Sequence, residues 1–400
     1  MRTHRITFAL LFVVFFGFAA LAESPENTGF TFTVTKELPH ASVKDQYKSG
    51  TCWSFAGASF IESELLRMGK PEVDLSEMFL VYNCYKDKAE RFVRMQGNTN
   101  FGSGGLLHDI TYVMDNYGLV PESAYTGLAY GEAKHTHSEI DNLLKSMVDA
   151  VVENKNRKIS SAWPVAFQET LNSYFGVIPE KFEYQGKSYS PKSFASDFCD
   201  VIHPSDYIEI TSFTHHPFYQ QFVLEVPDNW LWGAVYNVPL NELVSIVDHA
   251  LDKGYTVAWA ADVSEKGFAT SKKGVAVVPE MSTENMDQAE IAKWEKLSDN
   301  EKEQRINLLD KPGKEKVITQ QIRQEAFDNQ ETTDDHAMHI VGTAKDQNGT
   351  TYYKVKNSWG SYNSYDGYFY ASKPYVSYKT TAIMIHKDAL PEAIRKKLGI

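Results

Sequence analysis

Hydrophobic side chains recur every three or four positions through the first third of the chain. Over residues 52–68 they form one stripe at the 3.6-residue period of an α-helix. The same spacing predicts a second helix over 75–84 and a third over 107–117, which Gly118 would end. A charged stretch over 130–175 repeats the pattern, so this part of the chain is predicted to be mainly helical.

The rest of the chain contains both helix-like and strand-like patterns. Residues 176–235 are aromatic and rich in strand-forming side chains, whereas 240–253 fit a helix and 255–262 a buried strand. Residues 283–330 are dense in charged side chains with helical spacing, as expected of a solvated helical arm. Helices and strands are therefore both expected in this half of the chain.

Two predicted strands, 336–345 and 352–359, flank an Asn348-Gly349 turn signal. His336 lies 12 residues before Asn348, and Asn357 lies 8 residues after Gly349. A hairpin that closes at this turn brings His336 and Asn357 towards the same end of the ladder.

The composition excludes several classes of protein. The chain has 400 residues, with 52 acidic and 40 basic side chains and a formal net charge of −12. That charge argues against binding to nucleic acid, whose phosphate backbone needs a basic surface. Three cysteines rule out a disulfide-built scaffold, and 42% hydrophobic with 23% charged residues is typical of a globular protein.

The first residues have the composition of an export signal. A basic amino end precedes an apolar run over 6–21, and Ala20-Leu21-Ala22 has the small-x-small form of a cleavage site. We therefore expect residues 1–22 to be a signal peptide and 23–400 to form a periplasmic or secreted protein. No later segment has 18 uncharged apolar residues, so no membrane contact is expected after cleavage.

Cys52 stands at the first turn of the first predicted helix. The partial positive charge and free N–H groups of a helix N-terminus favour thiolate over thiol, and the thiolate is the nucleophile. Gln46 lies six residues upstream across a glycine-bearing loop, where its amide could join the Cys52 N–H in binding one oxygen. Two such donors form an oxyanion hole, worth about 3–4 kcal/mol per donor removed. This pattern predicts catalysis by a thiol nucleophile.

The segment from Asp45 to Ala56 resembles the active-site segment of papain-like cysteine proteases. Four further motifs follow in that family's order over about 320 residues. They are Leu75-Ser76-Glu77, Gly104-Gly105, Asp335-His336-Ala337 and Asn357-Ser358-Trp359-Gly360, the last followed by Gly367-Tyr368-Phe369. The resemblance implies an α+β, papain-like two-lobed fold with a helical lobe and a β-barrel-like lobe.

The resemblance also implies a role for each matching residue. Cys52 would attack the scissile carbonyl, and His336 would hold the thiolate as an ion pair and protonate the leaving amine. Asn357 would orient the imidazole through a hydrogen bond. Gln46 and the Cys52 amide would bind the oxyanion, and Trp359 would keep water from the histidine–asparagine bond.

The glycine pair and a second histidine carry competing interpretations. Gly104 and Gly105 resemble the glycine pair that lines the family's substrate cleft, although such a pair also marks tight turns. His339 lies three residues after His336 on the same predicted strand. Strand side chains alternate between faces, so only one of the two can meet Cys52, and the Asp-His-Ala motif favours His336.

Cys52 and His336 are 284 positions apart, whereas papain-like enzymes typically have about 130–150. The extra residues are expected as insertions at approximately 126–235 and 275–330. This long spacing and the motif His336-Ala337-Met338 both resemble the bleomycin hydrolase and aminopeptidase C branch of the family. In that branch, helical and hook-like insertions build a hexamer. The resemblance implies a cysteine aminopeptidase that acts on peptides, needs no metal or other cofactor, and assembles as a homo-oligomer.

One departure from that branch leaves the mode of cleavage open. There a C-terminal arm runs into the cleft, and its carboxylate anchors the free amine of the substrate. Here the chain continues only to Ile400 after Leu390-Pro391-Glu392, so the arm looks shortened. An endopeptidase or a dipeptide-releasing protease is therefore the alternative to an aminopeptidase.

Rival functions have weaker support. A metalloenzyme would rest on His135-x-His137 and His215-His216, which have no clear set of acidic ligands. A non-catalytic peptide-binding homologue would commonly lack the nucleophile or the histidine, and both are present. Pairing of Cys84 with Cys199 in an oxidising compartment stays open.

Overall fold

The computed structural model describes residues 29–156, 158–280 and 288–400. The predicted signal peptide, residues 1–22, lies outside them. The helices are α1 (Cys52–Arg67), α2 (Glu77–Arg94), α3 (His108–Tyr117), α4 (Ser138–Val152), α5 (Trp163–Phe175), α6 (Pro191–Ser193), α7 (Leu240–Lys253), α8 (Gln288–Trp294), α9 (Asp299–Ile306), α10 (Gln320–Asp328), α11 (Lys373–Lys379) and α12 (Glu392–Leu398). The strands are β1 (Thr33–Glu37), β2 (Phe182–Tyr184), β3 (Lys187–Tyr189), β4 (Tyr207–Thr211), β5 (Gln221–Val223), β6 (Ala234–Asn237), β7 (Val257–Ala261), β8 (Phe268–Ala269), β9 (Val275–Ala276), β10 (His336–Lys345), β11 (Thr351–Lys356), β12 (Tyr368–Ser372) and β13 (Thr380–His386).

The predicted helices occur at α1, α3 and α7 with nearly the expected bounds. The helix expected over 75–84 begins where Ser76 caps it, through a hydrogen bond from Phe79 N, but continues to Arg94. The stretch over 130–175, predicted to be mainly helical, contains two helices, α4 and α5. Among the described residues, no helix has both the length and the apolar composition needed to cross a membrane.

The first helix differs from its prediction in one informative way. A single apolar stripe predicted one buried face, but every residue from Trp53 to Leu65 is buried. The reason is that α1 contacts helices α2 and α3 on one side and strands β7 and β10 on the other. Polar residues such as Glu62 are therefore inside the protein as well.

Eleven of the described strands form one mixed sheet in the order β5-β6-β4-β13-β7-β10-β11-β12-β9-β8, with β1 paired to β10 outside this path. The central strand is β10, whose residues His336–Ile340 pair with β7. Its residues Gly342–Lys345 pair with β1, and β11 pairs antiparallel along it. The first residue of β10, His336, is thereby held at a fixed position beside α1.

The hairpin predicted at Asn348-Gly349 forms, with a longer loop than a two-residue turn. Lys345 pairs with Thr351, and Asp346 closes the loop by accepting hydrogen bonds from Asn348 N and Thr350 N at 2.9 Å each. Gly349 takes the left-handed backbone, with φ of +85°, that glycine adopts without strain.

The sheet separates two hydrophobic cores, and the two faces of β7 show how. Ala258 and Ala260 point towards the helical lobe, whereas Val257, Trp259 and Ala261 point to the other face. The core of the helical lobe contains Phe60, Leu80, Ile110, Leu144 and Leu171. The core on the far face contains Leu243, Val247, Ile340, Val355 and Tyr375. This two-lobed α+β architecture agrees with the fold expected from the motifs.

A buried ionic cluster ties the segment before Cys52 to the helical lobe. Lys44 Nζ lies 3.1 Å from Glu62 Oε1 and 2.7 Å from Glu77 Oε1, contacts Asp74, and donates to Leu75 O at 3.2 Å. Burial alone would lower the pKa of Lys44, but the surrounding carboxylates outweigh burial and raise it. The cluster fixes the chain two residues before Gln46.

We predict that Lys44→Met lowers the free energy of unfolding by about 3–5 kcal/mol, because it leaves the Glu62 and Glu77 carboxylates buried without their cation. Urea denaturation at neutral pH measures the loss. The matched control is Lys145→Met, which removes an exposed i,i+4 partner of Asp149 and should cost less than about 1 kcal/mol. Equal effects of the two substitutions would contradict a structural role for the cluster.

Candidate active site

Cys52 is the first residue of α1, and a tight loop delivers it there. Gly50 has φ of +63°, and a Cβ at this position would lie 2.6 Å from Ser103 Oγ, so the loop requires glycine. Trp53 Nε1 donates to Ser103 O at 2.9 Å. Through these contacts the glycine-rich loop, residues 102–105, packs against the start of α1.

A cleft opens between this loop and the amino end of β10. It brings together Cys52, His336 and the glycine pair Gly104 and Gly105, as the motifs predicted. The other lining residues are Gly50, Leu107, Asp228, Ala260, Asp334, Asp335 and Ala337. The two walls belong to different lobes, with the loop on the helical side and β7 and β10 on the sheet side.

The hydrogen bonds of Asn357 determine which nitrogen of His336 carries a proton. Ser358 N donates to Asn357 Oδ1 at 2.8 Å, which identifies that atom as the oxygen. The nearby His336 Nε2, also at 2.8 Å from Oδ1, must then be the donor. Asn357 Nδ2 donates to Tyr362 Oη at 3.2 Å. In the neutral imidazole the lone pair is therefore on Nδ1.

Trp359 and Gln46 lie beside the hydrogen-bonded His336 and Asn357 side chains. The Trp359 ring stacks on the His336 ring with 4.8 Å between centroids and 30° between planes. Gln46 N donates to Ser358 O at 2.8 Å, and Ser358 Oγ donates to Gln46 Oε1 at 2.5 Å. Because its oxygen is engaged, the side chain of Gln46 has its Nε2 donor left for another acceptor.

His339 takes a separate place, on the opposite face of β10. Its Nδ1 lies 2.8 Å from Ser59 Oγ of α1, and its ring packs edge to face on Phe60. Burial lowers the pKa of His339 far below its ordinary value, and the nearby charge of Lys356 adds to the effect. The alternation of strand side chains separates the two histidines in the way the sequence predicted.

Burial acts on the two candidate catalytic groups in opposite directions. It raises the pKa of the Cys52 thiol to about 12; the charges of Asp334 and Asp228 add to this rise, and the backbone N–H groups of Ala337 and Trp53 oppose it. Burial lowers the pKa of His336 to about 4, against the effect of its bond to Asn357. Between these values the resting site holds a neutral thiol and a neutral imidazole: the transferable proton is on Cys52, and His336 keeps the proton that it donates to Asn357.

Three carboxyl groups in the cleft were not among the predicted site residues. Asp334 Oδ1 accepts from Thr381 Oγ1 at 2.9 Å, and Asp335 Oδ1 accepts from Val263 N at 2.9 Å. Burial raises the pKa of Asp334 to about 7 and of Asp335 to about 6. Their position directly before His336 was the available signal. For Asp228 no local signal existed, because only the folded chain brings it to the glycine pair.

The histidine pairs considered as metal ligands have different surroundings. The rings of His135 and His137 pack edge to face, and burial lowers the pKa of His135 to about 4 and of His137 to about 3. His215 and His216 instead contact Glu225, through their Nε2 atoms at 2.7 and 3.0 Å.

His215, His216 and Glu225 form the one close group of three potential metal ligands in the described parts of the chain. The hydrogen bonds of His215 do not favour a metal there. Gln324 Oε1 accepts from Thr214 N, so its Nε2 is the atom that donates to His215 Nδ1 at 2.9 Å. His215 then carries its proton on Nε2 and donates it to Glu225, where a metal would need a lone pair.

The carboxyl-terminal helix lies away from the cleft. Ile394 and Leu398 of α12 are buried in the core on the far face of the sheet, and Arg395 Nε donates to Ile400 O at 3.2 Å. Among the described residues, none that lines the cleft comes from α12. Cys84 and Cys199 are both buried and free, so the pairing left open from sequence does not occur.

The chain is similar to known peptidases along most of its length. Residues 32–194 match the family described as "Papain family cysteine protease", and residues 305–399 match the "Peptidase C1-like family". The chain is 21% identical to Aminopeptidase C of Streptococcus thermophilus over 92% of this chain and 85% of that protein. It is 23% identical to Aminopeptidase C of Listeria innocua over 94% of this chain and 88% of that protein.

Among solved structures, PepW from Lactobacillus rhamnosis HN001 has the same fold. The TM-score is 0.68 at 19% sequence identity, over 92% of this chain and 84% of that one. The two chains therefore share their architecture over most of their lengths.

We predict that Asn357→Ala lowers kcat by about 10²-fold or more while KM changes little, because the imidazole loses the acceptor that fixes its orientation and tautomer. Steady-state kinetics on an aminoacyl coumarin amide measure both constants. Ser358→Ala is the comparison variant: it leaves the His336–Asn357 bond in place and removes only the hydrogen bond from Ser358 Oγ to Gln46, so its loss should be smaller. A larger loss in Ser358→Ala than in Asn357→Ala would contradict this role.

We also predict that the rate at which iodoacetamide alkylates Cys52 is nearly constant around neutral pH and falls as the pH drops through about 4. Below that value His336 takes up a second proton, and no acceptor remains for the proton of the thiol. Intact-mass spectrometry measures the rate. A rate that rises only above pH 8, as for an unassisted thiol, would contradict the pairing.

Proposed function

We propose that this chain, which belongs to the papain-like cysteine peptidases, is an aminopeptidase that removes residues from the amino ends of peptides. The observation that carries the proposal is the His336 Nε2–Asn357 Oδ1 hydrogen bond at 2.8 Å, stacked beneath Trp359 in the cleft that contains Cys52. A lone pair on Nδ1 is what a base needs to accept a thiol proton.

The proposed reaction proceeds through an acyl-enzyme. The Cys52 proton moves to His336 Nδ1, and the sulfur attacks the scissile carbonyl to form a carbon–sulfur bond. The Cys52 N–H and Gln46 Nε2 stabilise the oxyanion that develops. His336 then gives its proton to the leaving nitrogen as the carbon–nitrogen bond breaks. A water molecule, activated by His336, hydrolyses the thioester and restores the thiol.

Proton transfer within the pair fits the burial of the site. Burial opposes a lone thiolate at Cys52 and a lone imidazolium at His336, as their shifted pKa values show. Transfer between the two creates both charges together, with no change in net charge, and their attraction offsets part of the cost of desolvation. Trp359 shields the imidazole from water on one face.

The charge of the cleft supports action at a free amino end. Asp228, Asp334 and Asp335 line it, and no lysine or arginine is among the described residues that do. A peptide with a protonated α-amine would be attracted, and one with a carboxylate nearby would be repelled. The relatives named Aminopeptidase C support the same class of reaction.

Endopeptidase or dipeptide-releasing activity is the second candidate. The observation that favours it is the position of α12, which packs on the far core and contributes no residue to the cleft. A substrate could then extend further along the cleft than a single residue.

The cellular location and the assembly are further proposals. The pattern of residues 1–22 supports export, to the periplasm or the medium, with cleavage after Ala22. The resemblance to the bleomycin hydrolase branch supports a homo-oligomer, with a hexamer as the expected form. Amino-terminal sequencing of the exported protein tests the first, and light scattering of the purified protein tests the second.

We predict that the enzyme cleaves leucyl-7-amido-4-methylcoumarin at least about 100-fold faster than its N-acetyl twin, and that Cys52→Ala abolishes turnover of both. Cys199→Ala, which removes another buried thiol, is the matched control and should retain activity. Equal rates on the two substrates would favour an endopeptidase, and full activity of Cys52→Ala would overturn thiol catalysis.

A further inference from the structure

An aminopeptidase must bind the α-ammonium group of its substrate at a fixed distance from the nucleophile, and a carboxylate is the natural partner for that charge. Among the described residues, the cleft offers three carboxyl groups: Asp228, Asp334 and Asp335. Their surroundings differ enough to distinguish which of them can receive the amine.

Asp228 lies directly against the glycine pair. A Cβ added to Gly104 would overlap Asp228 Oδ2, so the carboxylate occupies the space that any larger residue at position 104 would need. Asp228 lies in the loop between β5 and β6, far from Gly104 in sequence. The absence of a side chain at position 104 is therefore what allows this carboxylate to reach the cleft.

The loop is built to hold Asp228 in place. Asn229 is buried and clamps the loop on itself, with Nδ2 donating to Leu224 O at 2.9 Å and to Gly233 O at 3.0 Å. Trp230 Nε1 donates to Asp109 Oδ2 of α3 at 2.7 Å. The loop between β5 and β6 is thus attached to the helical lobe through Trp230, two residues after Asp228.

The hydrogen bonds of Asp228 leave one oxygen for a ligand. Oδ1 accepts from Asn100 Nδ2 at 2.8 Å, and in the described parts of the chain Oδ2 has no hydrogen-bond donor. The nearest buried cation, Lys88, directs its Nζ to the carbonyl oxygens of Gly102 and Gly104 instead of a carboxylate. Burial raises the pKa of Asp228, and the charge of Lys88 and the hydrogen bond from Asn100 oppose this rise without occupying Oδ2.

The other two carboxyl groups are less suited. Asp334 accepts from Thr381 and Asp335 from Val263 N, and each adjoins the strand that carries the imidazole. Burial raises the pKa of Asp334 to about 7, so at neutral pH a large fraction is protonated and uncharged. Asp228 stands on the opposite wall, along the glycine pair.

We propose that the Asp228 carboxylate, seated over Gly104 and held by Asn100, binds the α-ammonium group of the peptide substrate and so determines the selectivity for a free amino end. This assignment rests on the aminopeptidase activity proposed above. The ligand class is a peptide or amino-acid amide with an unblocked, protonated amine. An N-acetylated peptide lacks both the charge and the donors that Oδ2 would receive.

The test is the ratio of kcat/KM on leucyl-7-amido-4-methylcoumarin to that on its N-acetyl twin. Asp228→Asn should lower this ratio at least about tenfold, chiefly through a higher KM for the free-amine substrate. Glu225→Gln, in the same segment but exposed and paired with His215 and His216, should leave the ratio at the wild-type value. The alkylation rate of Cys52 by neutral iodoacetamide should not fall in Asp228→Asn, which shows that the nucleophile is intact.

A second variant covers the case in which Asp228→Asn does not fold. Gly104→Ala pushes the carboxylate away through the overlap with its new Cβ, and should lower the same ratio. Wild-type selectivity retained by the variants would overturn the assignment to Asp228 and leave the aminopeptidase standing. A loss of selectivity in Asp334→Asn but not in Asp228→Asn would also overturn it. A wild-type ratio near one would overturn both proposals.

Discussion

The close packing of helix α1, buried along most of its length, against strand β10 sets the geometry on which the site depends. Cys52 begins α1 and His336 begins β10, so the distance between nucleophile and base is the distance between these elements. Ala258, Ala260 and Ala337 present small side chains to the helical lobe, which allows a close approach. Core packing resists compression and expansion, and the two lobes therefore hold the reacting groups in register.

The electrostatics of the cleft work against the nucleophile and in favour of the substrate. Burial and the charges of Asp334 and Asp228 both oppose formation of the Cys52 thiolate. An ammonium group bound at Asp228 would offset the charge of that carboxylate and make the thiolate easier to form. Binding of the correct substrate would thus assist its own cleavage, and a blocked substrate would lack this assistance. The same carboxylate charge would then both select a substrate with a free amine and promote formation of the Cys52 thiolate once that substrate is bound.

Local patterns predicted those features that depend on local physics. The period of α1 and the turn at Gly349 follow from spacing and turn chemistry, and the hairpin arithmetic brought His336 to Asn357. The motifs added Cys52 and Gln46 to the same site. The alternation of strand side chains also separated His339 from His336.

What the sequence could not predict depends on contacts between distant segments. Asp228 reaches Gly104 across 124 positions, and nothing near it in sequence marks a cleft residue. The all-round burial of α1 was also hidden, since its polar residues, such as Glu62, find partners in another part of the chain, at Lys44.

The central claim is that Cys52 is the nucleophile of a cleft that recognises a free amino group. The most direct test exposes the protein to equal amounts of leucyl chloromethyl ketone and its N-acetyl twin, with the adducts assigned by peptide mass mapping. The account predicts one adduct per chain, on Cys52, derived overwhelmingly from the free-amine reagent. Labelling at Cys84 or Cys199, or equal labelling of Cys52 by the two reagents, would contradict it.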